Sequence, residues 1–339
     1  MNLLIRTFTL AIALIVSLFT QAQDVQKQLE TARNFSRTGD FDNALLVLQK
    51  ASQQMPGDLE IQKELAYTYF RAGNYKDAVP VALALADRED ADVQAYQIAG
   101  NIYKGAGDAK ECDKLYKKAL MKFPNSGVLY FEYGELMLTQ QQRNEAIKMW
   151  EKGIEVDPSY PGNYYHAGKF YYYTGSNAAL TLLYGEIFVN MESYTVRTAE
   201  IKNMLLDAYK KFYLNKPEPA QGKKKSPNGF QQSVTDLLWQ QSALADMGIT
   251  AESLTMIRTQ FILSWNETLA AKYPYKLFEH QQYLLREGMF EAYNQWLFGP
   301  VANMQKYQQW ANANGKKLSD FNYYQKNRIF KMPAGQNYQ

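Results

Sequence analysis

Apolar and small residues recur along residues 25–194 with the spacing of helices. Small residues return every 34 positions, and a large apolar or aromatic side chain follows each of them three positions later. The small residues are Ala32, Ala66, Gly100, Gly134 and Gly168. Residues three or four apart lie on one face of a helix. The pattern therefore predicts one helix near the start of each 34-residue interval.

A second set of positions has the same period and predicts a second helix in each interval. It contains a small residue and, four positions later, a larger and often aromatic one, which we expect to fill the gap towards the next interval. The small residues are Ala44, Ala78, Cys112 and Ala146. Proline then ends the helix at Pro124 and Pro158. In the fifth interval Leu180 replaces the small residue, so we expect a terminal unit with different packing.

This pattern of 34-residue helix pairs resembles the tetratricopeptide repeat (TPR) family. The resemblance implies an all-α fold, a right-handed TPR superhelix of about five repeats that bury their faces against one another. The register places the array over 25–194, with repeats at 25–58, 59–92, 93–126, 127–160 and 161–194.

The chain beyond the array is also predicted to be helical. Residues 195–214 form an amphipathic capping helix, and 215–229 form a basic linker whose lysine triplet is solvated or faces an acidic partner. Residues 230–330 form a C-terminal domain of four or five helices, followed by a polar tail over 331–339. We expect one helix over 230–248, a second with Thr250 as its N-cap, and a third from Pro274 to Gly299.

The N-terminal residues have the layout of a secretory signal peptide. Arg6 precedes an apolar run from Phe8 to Phe19, and small or polar residues follow up to Ala22. We expect cleavage of residues 1–22; the alternative is an uncleaved membrane anchor. The layout resembles that of exported proteins of Gram-negative bacteria, which implies the periplasm, with secretion or attachment to the outer membrane as alternatives. No transmembrane span is expected in the mature chain.

The composition provides little support for catalysis or nucleic-acid binding. A net charge of +3 does not favour nucleic acid, and the one cysteine, Cys112, is expected to be buried. The two histidines, His166 and His280, have no neighbouring nucleophile or metal-ligand spacing. We therefore predict no catalytic residue, metal or cofactor. The alternative is a hydrolase whose C-terminal domain brings acids or His280 into a cleft.

The resemblance to TPR proteins implies a concave groove, formed by the first helices, that holds a peptide or a partner helix. Cations predominate in the early repeats of this groove and aromatic residues in the late ones, which suits an extended peptide with an acidic residue or carboxylate. Tyr164 and Tyr171 are expected to be structural. The predicted groove residues are Arg33, Arg37, Lys63, Tyr67, Arg71, Asn101, Lys104, Phe131, Tyr165, Lys169, Tyr172 and Tyr173.

The sequence thus favours a non-enzymatic adaptor that binds protein partners, with envelope assembly components as candidates. Two alternatives stay open. The C-terminal domain could cover the tyrosines from within the chain, because a bare aromatic patch is a liability. The protein could instead bind or process glycans with aromatic platforms in its C-terminal half, where the candidates are Trp239, Trp265, Trp296 and Trp310.

Overall fold

The computed structural model describes residues 23–214 and 229–338. These residues form 18 helices and no strand, so the prediction of an all-α helical repeat is confirmed. The predicted signal peptide and residues 215–228 of the predicted linker lie outside the described residues.

Five helix pairs occupy the predicted repeats, each with a short turn between its two helices. They are α1 (23–38) with α2 (Phe41–Gln54), α3 (Leu59–Arg71) with α4 (Tyr75–Ala86), α5 (Val93–Gly105) with α6 (Ala109–Lys122), α7 (Gly127–Thr139) with α8 (Arg143–Val156), and α9 (Pro161–Thr174) with α10 (Ala178–Met191).

Eight further helices follow, and seven of them lie in the region predicted to hold four or five. They are α11 (Val196–Leu214), α12 (Gly229–Trp239), α13 (Ser242–Ala245), α14 (Ala251–Thr268), α15 (Lys276–Arg286), α16 (Phe290–Ala302), α17 (Met304–Ala313) and α18 (Gly315–Asn327). The predicted helix from Pro274 is divided because Gly288 adopts a φ of +70°. Pro300 lies inside α16, whereas the sequence suggested that the helix stops there.

The turn inside each helix pair uses a left-handed residue at the same place in every repeat. Gly39, Gly73, Gly107 and Gly175 have φ values of +83°, +70°, +78° and +63°. Glycine adopts this conformation without the steric cost of a Cβ atom. Gln141 occupies the equivalent place in the fourth repeat with a φ of +63° and is the one non-glycine residue with positive φ in the described part of the chain.

The repeated small residues allow an aromatic ring to lie directly on the helix backbone. A Cβ atom on Gly100 would lie 2.0 Å from Tyr116 Oη, and one on Gly134 would lie 2.3 Å from Trp150 Nε1. Each ring thus packs on the first helix of its own repeat, and the Trp150 ring also stacks on His166 of the next repeat with 4.8 Å between the ring centres. Cys112 is fully buried.

The described residues form two compact units. Unit 1 contains residues up to Pro124 together with Glu135–Gln142, and unit 2 contains Asn125–Gly134 and the residues from Arg143 onward. Within unit 2, α10 contacts α9, α11 and α12, and every residue from Ala179 to Asn190 is buried. A helix buried on all sides explains why Leu180 stands where earlier repeats have a small residue.

A buried polar network ties the C-terminal helices to α10 within unit 2. Glu186 accepts hydrogen bonds from Arg258, from Gln281 Nε2 at 2.6 Å and from Tyr293 Oη at 2.6 Å. Asn190 donates to the same tyrosine oxygen at 2.7 Å. The carboxylate therefore has a cation and two neutral donors, as a buried charge requires.

Pro300 leaves a carbonyl inside α16 without its helical partner, and a lysine supplies the missing donor. Proline has no N–H to donate to the carbonyl four residues earlier. Lys202 Nζ lies 2.8 Å from that carbonyl, on Trp296, and 3.5 Å from the centre of the Trp296 ring. Burial lowers the pKa of Lys202 to about 7.

Candidate binding site

Two of the predicted groove cations in unit 1 are neutralised by carboxylates of the same surface. Arg33 pairs with Glu64, and Lys63 pairs with Glu60 and, at 2.8 Å, with Asp92. Burial would lower the pKa of Lys63, but its hydrogen bonds to Asp92 and Glu60 outweigh burial and raise it. Lys63 is only 3% exposed. These two side chains therefore link α1, α3 and the start of α5.

Two predicted groove cations of unit 1 are exposed, and both lie at the C-terminal ends of first helices. Arg37 lies in the last turn of α1 and, among the described residues, donates to Asn34 Oδ1 at 3.3 Å. Arg71 ends α3, and its guanidinium carbon lies 5.2 Å from the ring centre of Phe41 and 5.9 Å from that of Tyr67. Neither arginine has a carboxylate within ion-pair distance among residues 23–214 and 229–338.

Three other predicted residues of unit 1 complete this surface. Tyr67 is 39% exposed, so its ring offers contact area beside Arg71. Lys104 lies half-buried at the end of α5 with its Nζ 5.9 Å from the Tyr116 ring centre. Asn101 is half-buried one turn earlier on α5. The surface formed by Arg37, Tyr67, Arg71 and Lys104 is called the arginine edge below.

In unit 2, two of the predicted groove tyrosines are held by α11. The Tyr165 hydroxyl donates to Glu200, and Lys169 Nζ lies 2.7 Å from the same carboxylate. One heptad later, Tyr172 Oη donates to Asp207 at 2.6 Å, and that carboxylate pairs with Lys211 at 2.8 Å. Two sets of tyrosine, acid and lysine therefore join α9 to α11.

Hydrogen bonds within these two sets stabilise the ionised forms of Glu200 and Asp207. Burial would raise the pKa of Glu200, but the hydrogen bonds from Lys169 and Tyr165 outweigh it and lower that pKa. The hydrogen bonds from Lys211 and Tyr172 lower the pKa of Asp207. Both acids are therefore ionised acceptors at neutral pH, and charge-assisted hydrogen bonds of this kind are stronger than neutral ones.

The remaining predicted residues of unit 2 differ widely in exposure. Tyr165 is 8% exposed, whereas Tyr173 is 73% exposed. Phe131 is half-buried, 5.5 Å from the ring of Tyr160 and 5.3 Å from that of His166. The cover over Tyr165 and Tyr172 comes from the capping helix α11, which answers the question that the sequence left open about these tyrosines.

The two histidines lie among aromatic rings and are neutral at physiological pH. Burial, with Lys169 as the next cause, lowers the pKa of His166 to about 3. Burial, with Arg328 as the next cause, lowers the pKa of His280 to about 2. Across residues 23–214 and 229–338, no group of three or more His, Cys, Asp or Glu residues is placed to hold a metal. The helices described here include none both long and apolar enough to cross a membrane.

A pocket beside the tyrosine-rich helix was not predicted from the sequence. It has a volume of about 420 Å³ and lies between the α9–α10 turn, the end of α11 and the start of α12. Its lining includes Tyr171, Tyr172, Asn177, Phe212, Gln231 and Gln232. The tyrosines were visible as a cluster in the sequence, but the glutamines reach the pocket only through the tertiary fold.

A comparison with known protein families agrees with the repeat architecture. Residues 37–100 match the family model described as tetratricopeptide repeat. The chain is similar to TTC0263, a thermophilic TPR protein of Thermus thermophilus, with 17% identity over 54% of this chain and 99% of that chain, at a TM-score of 0.44. It is also similar to MamA from Desulfovibrio magneticus RS-1, with 14% identity over 55% of this chain and 96% of that chain, at a TM-score of 0.39.

These similarities to solved structures are too low to carry an argument about function. A search of curated proteins finds no match. The match of residues 37–100 to the tetratricopeptide repeat model and the five helix pairs nevertheless confirm the resemblance that the sequence predicts.

Proposed function

We propose that this protein is a non-enzymatic adaptor of the bacterial cell envelope that binds an acidic peptide segment of a protein partner at the arginine edge of unit 1. A tetratricopeptide repeat segment is in general a scaffold for protein interactions. The proposal of an acidic ligand at the arginine edge rests on one observation. On the same surface, some cations are paired with carboxylates, whereas others are exposed and have no carboxylate partner among the described residues.

Arg33 and Lys63 already have carboxylate partners, so a ligand would have to displace Glu64 or Asp92 to reach them. Arg37 and Arg71 have none among the described residues, so an incoming carboxylate gains an ion pair without breaking one. The rings of Phe41 and Tyr67 restrict the Arg71 side chain. A restricted arginine loses less entropy on binding.

The exposed ring of Tyr67 adds an apolar contact beside this charge. Tyrosine and arginine are enriched among the residues that carry most of the energy of protein interfaces. The preferred ligand is therefore an extended segment with an acidic side chain or terminal carboxylate next to an apolar residue.

The test is a crosslinking pull-down from envelope fractions, followed by binding assays with each protein that is captured. Arg37→Glu/Arg71→Glu should lose the partner that the wild type captures. The matched control, Lys50→Glu/Lys76→Glu, changes the charge equally at exposed positions on the second helices α2 and α4. Equal capture by the wild type and both variants would refute the arginine edge as the binding surface.

The envelope location rests on the signal-peptide layout of residues 1–22. Export with cleavage after Ala22 would leave Gln23 as the first residue of the mature protein. Mass spectrometry of protein purified from native cells checks this, and an intact Met1 in the envelope fraction would contradict it.

The alternative of glycan binding on tryptophan platforms receives no support from the tryptophans themselves. Trp265 and Trp296 are buried, Trp239 stacks on Tyr213, and Trp310 Nε1 donates to Glu291 at 2.7 Å. Any saccharide site would have to use other rings.

A further inference from the structure

We propose that the pocket between the α9–α10 turn, α11 and α12 is a separate ligand site for a neutral saccharide. This inference concerns unit 2 alone and does not depend on the arginine edge. It rests on the volume of the pocket, the balance of its charges and the chemistry of its lining.

The volume and walls suit a small ligand. About 420 Å³ lies within the range of small-molecule sites and accommodates about one or two sugar rings. Tyr171 and Tyr172 come from α9, Phe212 comes from α11, and Ala178 lies at the start of α10.

The one charge in the lining of the pocket is already paired within the protein. Lys211 is the only charged residue among the described residues that line it. Its Nζ lies 2.8 Å from Asp207 Oδ2 and 3.1 Å from Tyr172 Oη. A phosphate or carboxylate would lose its hydration without gaining an unpaired cation, and burying such a charge is costly. The balance of charge therefore favours an uncharged ligand.

The polar lining is held in place and contains neutral donors and acceptors. Asn177 Nδ2 donates to Gln231 Oε1 at 2.6 Å, and Gln231 Nε2 donates to the Tyr338 carbonyl at 3.0 Å. Thr181 Oγ1 donates to the Asn177 carbonyl at 3.0 Å. Amides and hydroxyls can donate to and accept from vicinal sugar hydroxyls.

The aromatic lining supplies the other half of saccharide recognition. Rings of Tyr171, Tyr172 and Phe212 border the pocket, and apolar faces with a few fixed polar groups are the general composition of ligand sites. Just outside, the exposed ring of Tyr173 lies 5.1 Å from that of Tyr172. A longer oligosaccharide can extend from the pocket towards this ring.

The test is calorimetric titration of the full chain with maltotetraose, cellotetraose and chitotetraose. We expect at least one of them to bind with a Kd of about 1 mM or tighter. Ala178→Trp fills the pocket from an exposed position and should weaken binding at least tenfold. Ala199→Trp is the matched control, because it introduces the same side chain at an exposed position near the other end of α11.

A second variant covers the case in which Ala178→Trp does not fold. Gln232→Ala removes an exposed amide of the lining and should weaken binding several-fold with an unchanged circular dichroism spectrum. The proposal is overturned if none of the three sugars binds or if Ala178→Trp binds as the wild type does. It is also overturned if a blocked neutral peptide, N-acetyl-Ser-Tyr-Ser-amide, binds at this pocket and the sugars do not. Arg37→Glu/Arg71→Glu should bind sugar normally, which separates this site from the adaptor function.

Discussion

Replacing Tyr165 tests whether the tyrosine-rich helix packs within the protein or faces a partner. The ring is 8% exposed and lies 5.1 Å from Phe188 and 4.9 Å from His166. Removal of a buried aromatic side chain costs about 3–5 kcal/mol in the free energy of unfolding. We therefore expect Tyr165→Ala to destabilise unit 2 by this amount.

Tyr165→Phe separates the contribution of the hydroxyl from that of the ring. The substitution removes the hydrogen bond to Glu200, but Lys169 still pairs with that carboxylate at 2.7 Å. No buried charge is left without a partner, so the cost should be only about 1 kcal/mol. The predicted order of stability is wild type, then Tyr165→Phe, then Tyr165→Ala.

Urea denaturation followed by tryptophan fluorescence measures this effect in the relevant unit. All five tryptophans, at 150, 239, 265, 296 and 310, lie in unit 2. Tyr173→Ala is the control, because that ring is 73% exposed and its loss should change stability by no more than about 0.5 kcal/mol. A Tyr165→Ala variant as stable as the control would refute the packing of α9 against α11 and return Tyr165 to the list of accessible binding residues.

Three further predictions concern stability. Glu186→Ala should destabilise unit 2 by about 3–5 kcal/mol because it leaves Arg258 buried without its carboxylate. A Glu186→Leu/Arg258→Met variant should lose less unfolding free energy, because it removes both charges. Urea denaturation of the wild type and the two variants checks this order. The pKa values of His166 and His280 are lowered to about 3 and about 2 in the folded protein. Below pH 6.5 the unfolded state therefore binds more protons than the folded state. The free energy of unfolding should fall by up to about 1.4 kcal/mol for each histidine per unit of decreasing pH. Denaturation at pH 7, 6 and 5 measures this fall, and His280→Gln should remove about half of it; an unchanged slope would contradict the assignment. Gln141→Gly should raise the melting temperature of the protein, because the +63° φ of Gln141 costs a side-chain-bearing residue about 1 kcal/mol, and a lower melting temperature would show that the Gln141 side chain stabilises the turn.

The repeat register predicts which residues share the candidate binding surface, but not which of them can bind a ligand. The register identified Arg33, Lys63 and Arg71 as members of one surface. It could not distinguish them, because Arg33 and Lys63 find carboxylates about 30 residues away in sequence, whereas Arg71 finds none among the described residues. Ion pairing between adjacent repeats depends on side-chain conformations that no periodic pattern specifies.

The boundaries of the later helices were predicted less well for a related reason. Pro300 was expected to end a helix, since proline removes a backbone donor. The helix continues because Lys202, from a distant part of the chain, satisfies the carbonyl that proline leaves. A sequence pattern shows that a proline removes a backbone hydrogen bond, but it does not show that a distant side chain replaces that bond.

The sequence by itself determined the helix pairs, their turns and their close internal packing. The helix pairs depend on local periodicity, and the turns depend on left-handed glycines. The close packing depends on small residues that face rings 16 positions away, as at Gly100 and Tyr116. The tertiary structure decided which tyrosines are covered, which cations stay exposed and where a pocket forms. The covered tyrosines and the pocket arise where α9, α10, α11 and α12 meet, and such contacts between distant segments depend on the packing of whole helices.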